Sequence, residues 1–267
     1  MPNTFIVKFV RSLLIALLPV ASVGFAVECI PPEYNDSGVV KYVNDGDTFT
    51  LHDGRKIRLL GIDAPEVEHL YPEKSEALAL PATDLLKSLL PEGSSVSLRH
   101  DVRVKDKYGR TLAVVVNQQR QNVSEALLKA GLARQYWIPP NYYGWFCYQL
   151  HERQARAARV GLWALAENQP RSAVSVQPES RRQVDVVGKI TRIEDSPKSL
   201  HLVLDNRIYV ELDKQHLELF SEFNLRTQLL ETVRITGRVY DAYDRLRMRL
   251  EHPWQLALIS NLPPRQN

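Results

Sequence analysis

Three short stretches hold residues whose types and spacing could hydrolyse a phosphodiester. Asp45-Gly46-Asp47-Thr48 follows one apolar run. Arg58 opens Leu59-Leu60-Gly61-Ile62, which runs straight into Asp63-Ala64-Pro65-Glu66. Asp106-Lys107-Tyr108-Gly109-Arg110 comes later. The set is three acids at strand ends and two arginines from separate segments. A hard cation such as Ca²⁺ takes carboxylate, carbonyl and water oxygens. It polarises a phosphoryl oxygen, and guanidinium groups hold the charge that develops there. Arginine suits this better than lysine, because its planar fork matches two phosphate oxygens and stays protonated. A carboxylate outside the cation's own ligands can orient or deprotonate the attacking water. Each stretch alone has a plainer reading: Asp and Pro end strands, and Asp-Gly-Asp and DKYGR are common turns. Only their occurrence together, in this order, points to chemistry.

The elements that must position them are mainly β. Residues 37 to 60 contain three alternating runs separated by Asp45-Gly46 and Asp53-Gly54, both hairpin signals. Residues 67 to 80 read as a polar loop. A helix is predicted from Pro81, which suits a first turn, to just before Pro91. SVSLRHDVRV and TLAVVVN read as strands on either side of DKYGR. Asn122 and Glu125 form a capping-box-like pair opening a helix that Gly131 ends. A last helix covers WFCYQLHERQARAARV and stops at Gly161. Strict alternation would place Arg58 and Asp63 on opposite faces, so a bend or bulge near Gly61 is required.

This arrangement resembles the staphylococcal nuclease (thermonuclease) family over about residues 38 to 165. The match rests on DGDT, RLLGIDAPE, DKYGR, the helix SEALLKAGLA and the closing Gly161-Leu162-Trp163. The resemblance implies a five-stranded OB-type barrel with three helices, and Ca²⁺-dependent cleavage of DNA or RNA that leaves a 3′-phosphate. It implies Asp47 and Asp63 as carboxylate ligands of Ca²⁺, with the carbonyl of Ala64 beside them; the family often has Thr at that last position. Glu66 is implied as general base or water-orienting residue, and Arg58 and Arg110 as the clamp on the scissile phosphate. Lys107 and Tyr108 match positions that contact a terminal phosphate. An aromatic after the GLA helix stacks on a base, and Tyr136 and Trp137 compete for that role. Some proteins of this fold have lost their catalytic residues. The alternative is therefore a nucleic-acid-binding or envelope scaffold module with little turnover, but the complete Arg-Glu-Arg set argues for the enzyme.

The remaining chain sets the context. It has 267 residues, 44% hydrophobic and 24% charged, with a formal net charge of +3. That is enough for two small domains, and it is compatible with a polyanionic partner without demanding one. Residues 1 to 26 read as a secretory signal peptide, with Lys8 and Arg11, an apolar run from Leu13 and small residues at Gly24 and Ala26. The expected location is periplasmic or secreted. The alternative is an uncleaved anchor, which Pro19 and the short apolar core disfavour. The two cysteines, Cys29 and Cys147, permit a disulfide or remain two free thiols. Seven histidines show no metal-ligand spacing. The nuclease-like domain is expected over 37 to 167, a Pro/Ser/Gln-rich linker over 168 to 182, and a small OB-like barrel over 183 to 260. Every residue assigned to chemistry precedes the linker, so the first domain is expected to hold the site alone.

Overall fold

The computed structural model describes residues 29–259; the signal-peptide segment lies outside the described residues. Strands β1 (Asp36–Val43), β2 (Thr48–Leu51) and β3 (Lys56–Leu59) form the expected meander, and a two-residue β4 (Ile62–Asp63) follows. Helix α1 (Ala79–Leu89) precedes β5 (Ser95–Arg99) and β6 (Thr111–Val116). Then come α2 (Val123–Lys129), the short β7 (Arg134–Gln135) and α3 (Trp145–Ala157). Five strands close into a barrel in the order β1-β2-β3-β6-β5, with β3 and β6 parallel. Phe49, Leu51, Ile57, Leu59 and Leu98 fill it, and Leu86 of α1 and Leu127 and Leu128 of α2 close over it.

Local chemistry accounts for most element ends. Helix α1 starts two residues before Pro81, which still falls in the first turn, where its missing N–H is not needed. Asn122 caps α2 by accepting the Glu125 N–H. Glu125 does not complete a capping box; its carboxylate accepts the Cys29 N–H at 2.7 Å. Gly131 ends this helix with φ +65°, and a Cβ there would lie 2.3 Å from the Val160 carbonyl oxygen, so backbone passes backbone at this point. The expected strand over 95 to 104 stops at Arg99. Beyond it the Asp101 carboxylate accepts the N–H groups of Tyr142 and Tyr143, and Asn141 bonds both backbone groups of Arg103. These side-chain bonds replace a ladder.

The second half repeats the barrel. Strands β8 (Arg171–Ser172), β9 (Glu179–Asp195), β10 (Ser199–Leu204), β11 (Ile208–Asp213), β12 (Thr232–Ala242), β13 (Arg245–Arg249) and β14 (Leu256–Leu258) follow. Five of them close in the order β9-β10-β11-β13-β12, because β12 also pairs with β9. A 3₁₀ segment, Lys214–Phe223, lies between β11 and β12. The stretch 168 to 182, expected as a linker, is instead structured: β8 pairs with β9, and Ala173 and Val176 enter the second core. Two small apolar residues suffice for this docking, and they leave no periodicity to read.

The halves are joined through polar and apolar contacts. The half-buried Arg156 of α3 pairs with the buried Asp185 of β9, and Thr236 donates to the same carboxylate at 2.6 Å. His252 stacks on Tyr142 at 4.0 Å, and Trp254 joins the first core. Cys29 and Cys147 are joined by a disulfide spanning 118 residues. In the chain-entropy account such a closure is worth about 4–5 kcal/mol. His151 stands beside it, but the bonded sulfurs are not thiolate ligands. Among the described residues no helix is long and apolar enough to cross a membrane.

Burial alone would raise the Asp185 carboxyl, yet the charges of Arg156 and Arg234 hold it below the usual carboxylate range. Its contribution to stability is therefore complete above roughly pH 4, the ordinary value. It is lost as the pH falls through the depressed native value. Asp185→Ala leaves a half-buried guanidinium short of its partner and should cost about 3–5 kcal/mol, read from the urea midpoint at neutral pH. A loss under about 1 kcal/mol would mean that the pair is not what joins the halves.

Candidate active site

Arg58 organises the site. It lies opposite Thr48 across β2 and β3, which brings it beside Asp47. The guanidinium is almost buried, with the residue 9% exposed. Its Nη1 donates to the carbonyls of Leu59 and Ile62 at 3.0 and 2.8 Å, spanning the bend between β3 and β4. Its Nη2 lies 2.9 Å from Asp47 Oδ2 and 2.9 Å from Asp63 Oδ1. Gly61 makes the bend with φ +79°, and β4 leaves the barrel to pair with β7, Asp63 facing Arg134. The bend that alternation required therefore sits at Gly61.

The carboxylates keep oxygens for other partners. Asp47 Oδ2 also accepts the Ala64 N–H at 3.0 Å, which ties the first motif to the second, and its Oδ1 accepts the Thr48 hydroxyl. Asp45 accepts the Asp47 N–H at 3.0 Å and so fixes that turn. Asp63 turns one oxygen to Arg58, while 45% of its side chain remains exposed. Asp47, Asp63 and a backbone carbonyl such as that of Ala64 offer only oxygen, the donor type that suits a hard cation such as Ca²⁺ and not a thiophilic one. Glu66 follows on the rim. Desolvation in the cleft, then the charges of Asp47, Asp45 and Asp63, push its carboxyl up to about 7.

The third motif is an Asx-type turn. Asp106 Oδ1 accepts the N–H groups of Tyr108 and Arg110, and its Oδ2 takes the Arg110 Nε at 2.7 Å. Against the effect of burial, these bonds hold Asp106 below the usual carboxylate range. The guanidinium of Arg110 is thus aimed by its Nε. Arg58, Asp63, Glu66, Lys107, Tyr108, Arg110 and Tyr136 all line one cleft of about 780 Å³, and Asp47 lies buried behind them. Tyr108 is 72% exposed and flanked by Lys107 and Arg110.

Trp137 is a correction. It is 5% exposed and packs in the core, with its indole N–H on Gln135 Oε1 at 3.0 Å. Its ring fills the space left by the missing Cβ of Gly61 and offers no face to a base. Of the two aromatics, Tyr136 is the one on the cleft. The expectation that the first domain holds the site alone also changes, because Arg182, Gln183 and Arg238 of the second half line the same cleft. Sequence reading left Asp106 and Asp45 without roles, although Asp-x-x-Gly turn chemistry marks the first of them.

Comparison with known proteins agrees with this geometry. Residues 56–165 match the family described as staphylococcal nuclease homologue. The chain is 36% identical over 133 residues to a thermonuclease of Staphylococcus intermedius, covering 48% of this chain and 76% of that protein. It is 32% identical over 174 residues to an uncharacterized endonuclease of Haemophilus influenzae, covering 64% of this chain and 85% of that one. Endonuclease YhcR of Bacillus subtilis matches at 31% over 156 residues, 55% of this chain but only 13% of the much longer relative. Fold, site and relatives define a nuclease, a hydrolase of phosphodiester bonds. The chain belongs to the staphylococcal nuclease family.

The Gly61 bend yields a test. A Cβ at Gly61 would lie 2.4 Å from the Trp137 ring, whereas at Gly54, with φ +89°, nothing lies within 4 Å. Both Ala variants carry the left-handed backbone cost of roughly 1–2 kcal/mol. Gly61→Ala should lose at least about 1 kcal/mol more than Gly54→Ala in chemical denaturation, because overpacking is added. Equal losses would show that the Trp137 contact does not hold the bend.

Proposed function

We propose that the protein is an exported, Ca²⁺-dependent endonuclease that hydrolyses DNA or RNA and leaves 3′-phosphates. The observation that carries this reading is the convergence of Asp47 and Asp63 on one guanidinium, beside Glu66 and across a shared cleft from Arg110. Asp47, Asp63 and the Ala64 carbonyl would hold the cation. When bound, Ca²⁺ supplies electrostatic stabilisation of the phosphoryl oxygen and offsets the repulsion among the acids.

The chain's own residues do the rest. Arg58 and Arg110 bind the non-bridging oxygens of the scissile phosphate, each already oriented by carboxylates. Glu66 accepts a proton from water as its oxygen attacks phosphorus in line with the 5′-oxygen. The P–O5′ bond breaks, the departing 5′-oxygen takes a proton from solvent water to become a hydroxyl, and the phosphate stays on the 3′ side. Lys107 and Tyr108 contact a neighbouring terminal phosphate, and Tyr136 stacks on a base. The N-terminal leader-like segment and the Cys29–Cys147 bond fit an oxidising compartment outside the cytosol.

Two measurements test the reading. Excess chelator should abolish cleavage of a long DNA, and Asp47→Asn or Asp63→Asn should raise the Ca²⁺ needed for half-maximal rate without unfolding the chain. Full activity in chelator would remove the cation from the reaction. Arg58→Lys and Arg110→Lys keep the charge but lose the planar fork. Each should lower kcat by at least about a hundredfold, the scale of one transition-state donor. Near-normal rates in both would mean that other groups clamp the phosphate.

A further inference from the structure

The cleft is built by both halves, and its second wall carries cations that the hydrolytic site does not use. Arg134 of β7 stands across from Asp63, and its Nη groups bond the Gln183 carbonyl at 3.3 Å and Asn168 Oδ1 at 2.9 Å. The second barrel is thereby fixed against the strand pair that holds Asp63. Between Gly237 and Val239 β12 advances two residues, while β9 advances five, from Val184 to Glu179. This bulge brings Arg182 and Gln183 to the cleft, next to Arg238, which faces outward from β12. Arg238 has no ion-pair or hydrogen-bond partner among the described residues. The exposed Arg182 has a 3.8 Å contact with the half-buried Glu179. Glu167 also lines this end, and the buried Asp185 lines the small pocket beside it.

We propose that Arg182 and Arg238, with Arg134 behind them, form a subsite of the second barrel that binds the phosphodiester backbone of a nucleic-acid strand beyond the nucleotides held at the hydrolytic centre. This rests on the nuclease reading of the same cleft. The chemistry follows from the side chains. The unpaired guanidinium of Arg238 and the loosely held one of Arg182, beside an open polar channel, match phosphate oxygens and neutralise them without reading a base. A cleft of about 780 Å³ is near the upper end of the roughly 300–1,000 Å³ range of small-molecule pockets, which suits a strand passing through. The second barrel therefore selects for strand length. A fragment that fills only the hydrolytic centre never reaches Arg238.

The test is equilibrium binding in chelator, followed by fluorescence anisotropy, with a labelled 20-nucleotide single strand and a labelled trinucleotide. Arg182→Gln/Arg238→Gln should raise Kd for the 20-mer about tenfold at low salt and leave the trinucleotide unchanged. Loss of two phosphate contacts should also flatten the slope of log K against log salt by about 1 to 1.5, at roughly 0.7 per contact on a single strand. Arg192→Gln/Arg245→Gln removes the same charge from exposed residues that do not line the cleft and should bind like the unmodified chain. Equal weakening by both pairs would reduce the effect to net charge and overturn the subsite, as would equal weakening on both probes. Arg238→Lys should keep most of the 20-mer affinity if the phosphate contact is right. A chain that shows this arginine-dependent binding but never cleaves with Ca²⁺ would keep the subsite and sink the hydrolytic reading instead.

Discussion

A single buried guanidinium holds the first barrel's functional end together. Arg58 binds two carbonyls on either side of a bend and two carboxylates from different strands, and so it is both a structural clasp and a site residue. Its burial is tolerated because both Nη groups meet carbonyl or carboxylate acceptors. The same contacts dictate where Asp47 and Asp63 lie, where β4 leaves the barrel, and where Ala64 meets Asp47. The acids would repel each other without this cation between them. Folding and the arrangement of the candidate site thus depend on one side chain.

Much of this could be read from the residues. The Asp-Gly turns, the Asn122 cap and the need for a bend near Gly61 follow from local stereochemistry, and the structure has each of them. Tertiary contacts hid the rest. Tyr136 and Trp137 are equivalent by type and adjacent in sequence; only the missing Cβ of Gly61, 76 residues away, decides which one is buried. The alternating HDVRV reads as strand, but Asp101 and Asn141 tie that segment to the loop before α3. The segment 168 to 182 has linker composition, and its docking depends on two small apolar residues that no periodicity reveals.

The two barrels share one connectivity. In each, the third and fifth strands pair in parallel, and a helical segment separates the third from the fourth. Yet only the first carries the carboxylate–arginine constellation. The second contributes Arg182, Gln183 and Arg238 to the lining of the shared cleft. Nothing in the alternation of its strands distinguishes it from a free-standing barrel; the difference lies in Asp185, buried where an exposed residue would be expected on an outer face.

Helix α3 is held at both ends by bonds of different kinds. Near its start Cys147 is covalently joined to Cys29, and near its end Arg156 is locked to Asp185. Between them Glu152 accepts the Gln135 backbone N–H, one residue from the partner of Asp63. The helix therefore acts as a calliper arm with both jaws fixed. The spacing between the two barrels is set by contacts the chain makes with itself, through Asp185, Thr236 and the stacked Tyr142–His252 pair.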